Sequence, residues 1–223
     1  MSLEQHVTIE CPQCHQTGKM LIWQSMNVTL DPDLRDKIFT EEIFQYNCPH
    51  CGATIPVSYS FLYHDMLREI MITVYTQKPE GYKYEPSQTE KKLGIADTYT
   101  TRIVFGLMRL QEKILILEQG LSDVAIEYQK YLIKYVANPE MAEKGYEIYF
   151  ERFIEPCDQF PRGLIRYLYF DEDDQPSYLE YDADLYIESD LFCNQNPNLR
   201  VTDTICIDEE WIRLQLEGES SDR

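Results

Sequence analysis

Cys11-Pro12-Gln13-Cys14 and Cys48-Pro49-His50-Cys51 repeat one pattern, two cysteines separated by two residues with a proline after the first. We call these stretches the first and the second knuckle. A tight turn over this spacing aims both sulfurs at one point, and two such turns place four sulfurs in a tetrahedron. The sequence therefore predicts a metal centre whose ligands are Cys11, Cys14, Cys48 and Cys51.

The predicted cofactor is Zn²⁺, because four thiolates are the donors that structural zinc prefers. A shell of four cysteines is closed and leaves no position for water or substrate, so a structural ion is favoured over a catalytic one. Iron stays open as an alternative, since four-cysteine iron sites use similar knuckles. Two disulfides, free buried thiols and a redox pair are also alternatives, but the paired spacing and a reducing cytosol argue against them.

Histidines and prolines in or next to the knuckles affect the predicted metal centre. His15 and His50 adjoin the ligands and could replace a cysteine, but four thiols already fill the shell, so exposed side chains are predicted. Pro12 and Pro49 fix φ for each turn and leave the following backbone N–H groups free to bond sulfur, which spreads the thiolate charge.

The segment 8–77 is predicted to be an elaborated zinc ribbon of antiparallel strands. Asp31 and Pro32 signal a helix start between the knuckles, with Asp31 as the cap and Pro32 at the first helical position. The 33 residues between Cys14 and Cys48 exceed a compact ribbon, so the middle must form an elaborated loop. The predicted strands are 19–30, 43–47, 54–64 and 70–76.

The segment 96–138 is predicted to be a helical hairpin. Apolar residues recur at helical spacing from Thr98 to Gln119, and Gly120 stands where a left-handed helix stop belongs. Ser122 or Asp123 then caps a second helix that runs to about Val136. The face predicted to be buried consists of Val124, Tyr128, Leu132 and Tyr135.

The segment 143–217 is predicted to be an acidic, β-rich domain closed by a helix. Alternating apolar and polar residues indicate strands near Tyr146–Glu151 and over Leu179–Glu188, with an apolar strand Leu164–Phe170 between them. Asp208 is predicted to cap a last helix, Glu209–Leu216. The fold class that follows is α+β.

The charge is strongly negative and unevenly distributed. The formal net charge is −19, and residues 140–223 carry 22 acidic and 7 basic side chains. An acidic surface repels nucleic-acid phosphates and anionic lipid and suits basic partners, so nucleic-acid binding is disfavoured. Basic residues near the knuckles are limited to Lys19, Arg35 and Lys37. No apolar run reaches the length of a membrane span and no secretory signal is present, so a cytoplasmic location without membrane contact is expected.

Other reactive residues lack a recognisable constellation. His6 and His64 are expected to be structural, and Cys157, Cys193 and Cys206 share no metal spacing and are expected to be small buried or partly buried residues. Asp171, Asp173 and Asp174 fail the calcium-loop template, because Pro176 and Asp182 stand where glycine and glutamate are required. An enzyme with an acidic pocket remains an alternative, based on Asp171, Asp173, Asp182 and Asp184.

The two knuckles and the run TRIVFGLMRLQEKILILEQGLSD, Thr101 to Asp123, together resemble the bacterial CpXC domain family. The resemblance covers about residues 9–137, and the stretch from Glu112 to Leu121 is similar to the second hallmark of the family. It implies zinc binding in a bacterial cytoplasm. It implies no catalytic residue, because the family has no established activity.

The function favoured by these observations is a structural zinc site in a non-catalytic module that binds a protein or peptide partner or serves as a scaffold. The alternatives are the enzyme with the acidic pocket and nucleic-acid binding through the ribbon. The sequence does not determine the oligomeric state.

Overall fold

A computed structural model describes residues 1–85, 98–201 and 204–217 of the chain. The chain divides into two compact units, Met1–Gln111 and Glu112–Arg223, which we call the N-terminal and the C-terminal unit. The mixture of helices and antiparallel strands confirms the α+β class. Within these ranges, no helix combines the length and the apolar character that a membrane crossing requires.

The N-terminal unit is built on a mixed five-stranded sheet. Its strands are β1 Leu3–Glu10, β2 Thr17–Asn27, β3 Gln45–Asn47, β4 Thr54–Pro56, β5 Phe61–Asp65, β6 Ile70–Tyr75 and β7 Thr100–Phe105. The sheet order is β1-β2-β5-β6-β7, with antiparallel pairs β1/β2 and β5/β6 and parallel pairs β2/β5 and β6/β7. The prediction of an all-antiparallel arrangement is therefore wrong, because the excursion between the knuckles returns the chain alongside β2 in the same direction.

Strands β3 and β4 form a separate antiparallel hairpin in which Tyr46 lies opposite Ile55. The single strand predicted over 54–64 is interrupted at Pro56. The N–H of Val57 bonds the Phe44 carbonyl, and residues 57–60 leave the strand conformation before β5 begins. Proline cannot donate to a ladder, which favours a strand end at this position.

A helix, α1 Asp33–Phe39, fills part of the excursion and buries Leu34 and Ile38. Pro32 occupies the N-cap position and no side chain caps the helix, so the predicted roles of Asp31 as cap and Pro32 as first helical residue are wrong. Residues 42–44 form a short 3₁₀ turn, so the strand predicted over 43–47 begins only at Gln45.

The strand β7 replaces the first part of the helix predicted from Thr98. Residues 100–105 pair in parallel with β6, with Val104 opposite Val74, and helix α2 Leu107–Glu118 begins two residues after the strand ends. Gly106 separates the two elements at a φ of 89°, a conformation that glycine adopts without strain. The β-branched residues of this stretch favour the strand.

The C-terminal unit contains a three-stranded antiparallel sheet and several helices. The described elements are α3 Asp123–Tyr131, a π-helical segment Leu132–Ala137, α4 Glu140–Glu143, β8 Ile148–Ile154, β9 Leu164–Phe170, β10 Pro176–Asp182, α5 Ala183–Gln195 and α6 Glu209–Glu217. The strand order is β10-β9-β8. Apolar side chains from the sheet and helices form the core, which contains Ile116, Ile126, Ile133, Met141, Ile148, Phe150, Ile165 and Tyr167.

Three predicted helix boundaries are confirmed by backbone and capping geometry. Gly120 follows α2 with a φ of 67°. The Ser122 side chain accepts a hydrogen bond from the Ala125 N–H at the start of α3. The Asp208 carboxylate accepts one from the Trp211 N–H at 2.9 Å.

The strand predicted over 179–188 ends at Asp182, so its second half is a helix. The Asp182 side chain accepts from the Asp184 N–H and caps α5. An aspartate at an N-cap accepts hydrogen bonds from backbone N–H groups of the first helical turn and so favours a helix start. The alternation of apolar and polar residues contains no information about this cap. The alternation from Ala183 onward therefore carried a misleading β signal.

Candidate metal centre

The first knuckle forms the tip of the hairpin between β1 and β2. The Cys11 carbonyl accepts from the His15 N–H at 2.8 Å, and the Cys11 N–H donates to the Gln16 carbonyl at 2.9 Å. His15 adopts a φ of 57°, in the left-handed region. The turn thus closes over the cysteine spacing and holds Cys11 fully buried.

The second knuckle forms the tip of the hairpin between β3 and β4 and repeats this geometry. The Cys48 carbonyl accepts from the Gly52 N–H at 3.0 Å, and the Cys48 N–H donates to the Ala53 carbonyl at 2.8 Å. Gly52 has a φ of 74°. Two hairpin tips from distant parts of the sequence therefore use the same backbone turn.

The four sulfurs of the knuckles converge. All four Sγ atoms lie within 4.8 Å of one another, and both the Cys11–Cys51 and the Cys14–Cys48 pairs are 3.7 Å apart. This separation excludes a disulfide, whose sulfurs lie about 2.05 Å apart. A tetrahedral zinc ion with bonds of about 2.3 Å would set neighbouring sulfurs about 3.8 Å apart. The four cysteines are therefore positioned to bind one metal ion.

Backbone N–H groups point at the sulfurs, as the prolines predict. Burial opposes ionisation of Cys48, but the N–H groups of Cys51 and His50 and the thiols of Cys11 and Cys51 lower its pKa to about 6. The N–H of Gln16 favours a thiolate at Cys14, but burial and the other three cysteines raise the pKa of Cys14 to about 12. Cys48 therefore ionises more readily than Cys14, and four thiolates in one place would repel one another. A bound cation would remove that repulsion.

An apolar layer covers the side of the sulfur set formed by Cys11 and Cys48, whereas Cys14 is partly exposed and Cys51 is exposed. Met20 and Tyr46 are buried together with Cys11 and Cys48, and Ile9, Ile22, Ile55 and Tyr59 are among the partly buried side chains packed against them. Burial and the charge of Cys48 raise the pKa of the Tyr46 phenol, so this group carries its proton at neutral pH. Excluding water in this way strengthens metal–sulfur bonding.

A sequence model of the CpXC protein family matches residues 9–130, a span that includes both knuckles and a little over half of the chain. The chain belongs to the CpXC family. Searches of curated proteins and of solved structures find no match. The predicted resemblance is thus confirmed, and the CpXC match ends inside α3, seven residues before the predicted limit.

Neither histidine of the CpXC knuckles is needed to complete the sulfur set. The His15 ring lies 3.4 Å from the Glu10 carboxylate and is exposed, and the His50 ring lies 3.2 Å from the Thr17 carbonyl. Within the described ranges, the four knuckle cysteines form the single group of three or more potential metal ligands.

The remaining histidines and cysteines lie apart from the CpXC knuckles. His64 is held by the Tyr99 hydroxyl at 3.1 Å and by the Asn27 side chain at 3.5 Å, as expected of a structural histidine. His6 is exposed. Cys193 and Cys206 are buried, whereas Cys157 is exposed, so the expectation of burial is wrong for Cys157 alone.

The acidic residues proposed for an enzymatic pocket do not meet. The Asp171 carboxylate accepts from the backbone of Asp173 and Gln175 in the turn before β10, whereas Asp182 ends that strand. Seven residues of strand separate the two sites by about 20 Å. Asp184 forms a surface ion pair with Arg162 at 2.6 Å. These carboxylates cap local backbone and do not build a common site.

Two of the three basic residues near the CpXC knuckles, Arg35 and Lys37, contact acidic side chains. Lys19 and Lys37 line a cleft of about 310 Å³ together with Trp23. Lys37 is 3.9 Å from Glu42, which lines the same cleft. Arg35 stacks on the Phe39 ring at 4.6 Å and contacts Asp36.

A second cleft in the N-terminal unit is mostly apolar. Its volume is about 290 Å³. Phe44, Tyr59 and Phe61 line it and pack against each other with ring centroids 5.2 to 5.8 Å apart. Among the described residues that line it, Glu41 alone is charged, and Glu41 holds a left-handed φ of 60°. We call this the aromatic cleft.

Sequence reasoning missed a buried ion network in the C-terminal unit. The Lys130 ammonium is fully buried and donates to Glu112 and Glu127, each at 2.8 Å. The Glu112 carboxylate also accepts from the Phe150 N–H at 2.7 Å. A related buried pair joins Lys113 to Asp123 at 2.9 Å.

The predicted buried face of α3 and the segment after it is confirmed only in part. Val124 is buried, Tyr128 and Leu132 are half-buried, and Tyr135 is exposed. Charged residues at positions 123, 127, 130 and 134 are buried as well. Their helical spacing was a signal for a shared face, but charges at such spacing normally indicate a solvated surface.

Proposed function

We propose that this chain binds one Zn²⁺ through Cys11, Cys14, Cys48 and Cys51, and that the ion is structural. The convergence of four sulfurs from two equivalent turns carries the proposal. Four thiolate ligands complete the tetrahedral shell that structural zinc prefers, and they leave no position at which water or substrate could bind. The ion would hold together two hairpin tips whose strands belong to separate sheets.

Elemental analysis of protein purified without chelator tests this proposal. One zinc per chain is expected, and a Cys48→Ser variant is expected to retain far less. Iron in place of zinc would give a coloured protein and would contradict the identity of the metal. Protein with no transition metal, even after reconstitution under reducing conditions, would contradict the whole proposal.

We further propose that the zinc-stabilised unit is a non-catalytic module that binds a segment of a partner protein in the aromatic cleft. Phe44 and Phe61 form its buried floor, and Tyr75 and Met108 are partly exposed at its edge. A concave apolar surface with few polar groups is the usual form of a binding site. This shape suits one or two apolar side chains.

The charge around the cleft indicates the kind of segment. Glu41 lies at the cleft and has no opposing charge among its lining residues. The protein as a whole carries a net charge of −19, which attracts basic partners. A partner segment with an apolar side chain beside lysine or arginine is therefore favoured.

A random-peptide display library screened against the zinc-loaded protein tests the partner. Peptides with an apolar residue next to Lys or Arg are expected to be enriched. Glu41→Arg should abolish their binding, while Glu42→Arg, the same charge change next in sequence but outside the cleft, should not. Enrichment that is indifferent to Glu41, or no enrichment, would contradict the proposed partner.

A bacterial cytoplasmic setting forms part of the proposal. It is supported by the resemblance to bacterial CpXC domains and by the need of four thiols for a reducing compartment. Nucleic acid is not the favoured partner, because Lys37 and Arg35 contact acidic or aromatic neighbours near the knuckles. Fractionation of the source cells and a gel shift with labelled RNA at low salt test these two points, with cytosolic protein and no shift expected.

A further inference from the structure

We propose that Tyr46 is a positioning residue for the metal centre, whose hydroxyl donates a hydrogen bond to the Cys48 sulfur when a cation is bound. The inference rests on the proposed function, because it concerns the same four-cysteine site. Tyr46 is not a metal ligand. It would act through Cys48, by fixing the sulfur and by taking up part of its negative charge.

The first observation is an unsatisfied hydroxyl. The Tyr46 side chain is 2% exposed, and within the described part of the chain its oxygen has no hydrogen bond of standard geometry. Buried hydroxyls nearly always have a partner, so one without calls for an explanation. The hydroxyl lies beside Cys48, within the same buried cluster.

The second observation is that the Tyr46 hydroxyl occupies the space that a side chain at position 18 would need. Gly18 is the second residue of β2, the strand that follows the first knuckle, and a Cβ at Gly18 would overlap the Tyr46 hydroxyl. The same Cβ position is 3.3 Å from Cδ of Pro49 in the second knuckle. The absence of a side chain at position 18 therefore allows the phenol to reach the space where the two knuckles meet.

The third observation concerns the charge of the acceptor. Four thiolates around a divalent cation leave a net charge of −2 on the site, so each sulfur becomes a stronger acceptor than a neutral thiol. The N–H groups of His50 and Cys51 already point at the Cys48 sulfur. The Tyr46 phenol, buried beside Cys48, supplies a further donor from a side chain.

Matched tyrosine-to-phenylalanine variants test the inference. Tyr46→Phe removes the hydroxyl and keeps the ring. Tyr59→Phe makes the same change in the same apolar layer, but its hydroxyl donates to the Ile43 carbonyl at 3.2 Å. Zinc affinity measured by chelator competition is expected to fall about 10-fold in Tyr46→Phe, as is typical for a lost outer-shell partner, and to stay near wild type in Tyr59→Phe.

Spectroscopy separates this role from a packing role. In the Co²⁺-substituted protein, the sulfur-to-metal charge-transfer band is expected at longer wavelength in Tyr46→Phe than in wild type, because a thiolate without its donor is easier to oxidise. Tyr59→Phe should leave the band in place. Wild-type affinity and an unshifted band in Tyr46→Phe would overturn the inference while leaving the zinc proposal intact.

A measurement on the wild-type protein tests the inference even if the variants fail to fold. In ¹¹³Cd-substituted protein, a slowly exchanging Tyr46 hydroxyl proton is expected to show scalar coupling to the metal through Cys48. Couplings from the backbone N–H groups of His50 and Cys51 serve as the internal reference. If these are resolved and the hydroxyl shows none, the inference is wrong. If the wild-type chain binds none of the three metals, both it and the zinc proposal fail.

Discussion

His15 and Gly52 occupy equivalent positions directly after the two knuckles, each four residues after the first cysteine, with φ values of 57° and 74°. Each donates its N–H to the carbonyl of that cysteine. The second knuckle thus has the residue that this backbone favours, and the first has a residue that adopts it at a cost.

This difference predicts opposite effects of substitution in the two knuckles. His15→Gly should raise the free energy of unfolding by about 0.5–1 kcal/mol, because glycine adopts the left-handed backbone conformation without the steric cost that a Cβ imposes. Gly52→Ala should lower it by about 1–2 kcal/mol, although open space surrounds Gly52. Denaturant unfolding of the metal-loaded protein measures both. A loss of stability in His15→Gly would indicate that the contact between His15 and Glu10 matters more than the backbone.

Removal of a single ligand should act on metal binding and on stability together. Cys11→Ser is expected to abolish stoichiometric metal binding and to lower the thermal midpoint of the N-terminal unit, since metal-site energy is folding energy. Cys157→Ser, an exposed cysteine outside the knuckles, is the control and should change neither quantity. Metal analysis and calorimetry are the measurements. Equal effects of the two substitutions would argue against a four-cysteine site.

Asp65 should contribute acid sensitivity to the N-terminal unit. Its carboxylate is 2% exposed; burial opposes ionisation, but Arg68 at 2.7 Å, nearby N–H groups and Thr29 outweigh burial and lower the pKa of Asp65. A depressed folded-state pKa gives stability that is present above the unfolded value of about 3.9 and is lost as pH falls through the folded value.

The difference between wild type and Asp65→Asn isolates this contribution from acid release of metal. At pH 7 the variant should be less stable by about 1–3 kcal/mol, because buried donors lose a charged acceptor. The difference should shrink as pH falls below about 4. Urea unfolding at a series of pH values measures it, with exposed Asp33→Asn as the control. A pH-independent difference would contradict the assigned pKa direction.

The buried network around Lys130 predicts a large loss of stability when the lysine is replaced by an apolar residue. Lys130→Met should destabilise the C-terminal unit by about 3–5 kcal/mol, because Glu112 and Glu127 would lose the ammonium between them. Lys144→Met breaks an ion pair with Glu172 of the same 2.8 Å length, but half of the Lys144 side chain is exposed. That change should cost far less, because water screens the exposed pair. Similar losses in the two variants would contradict the role of burial.

Local features could be predicted from sequence because they depend on short spacing. In the metal centre these are the two CPxC turns and the left-handed glycine after the second, and in the C-terminal unit the Ser122 cap of α3. The strand β7 was missed because apolar residues from Ile103 onward satisfy helical periodicity; the β-branched residues of 100–105 are a weak local signal for a strand, and pairing with β6 decides between the two. The inward charges of α3 were missed for a similar reason, since the ion partners of Lys130 lie partly on another helix.

Parallel pairing of β2 with β5 has a consequence for the order of folding. The second knuckle lies in the segment between these two strands. The cysteine pairs that meet in the metal centre are 34 and 40 residues apart in the sequence. A cation that binds both knuckles can close this long loop without any sheet hydrogen bond between β2 and β5, so we expect metal binding to precede their pairing. Refolding of the N-terminal unit should therefore accelerate with metal concentration until capture is no longer the slowest step.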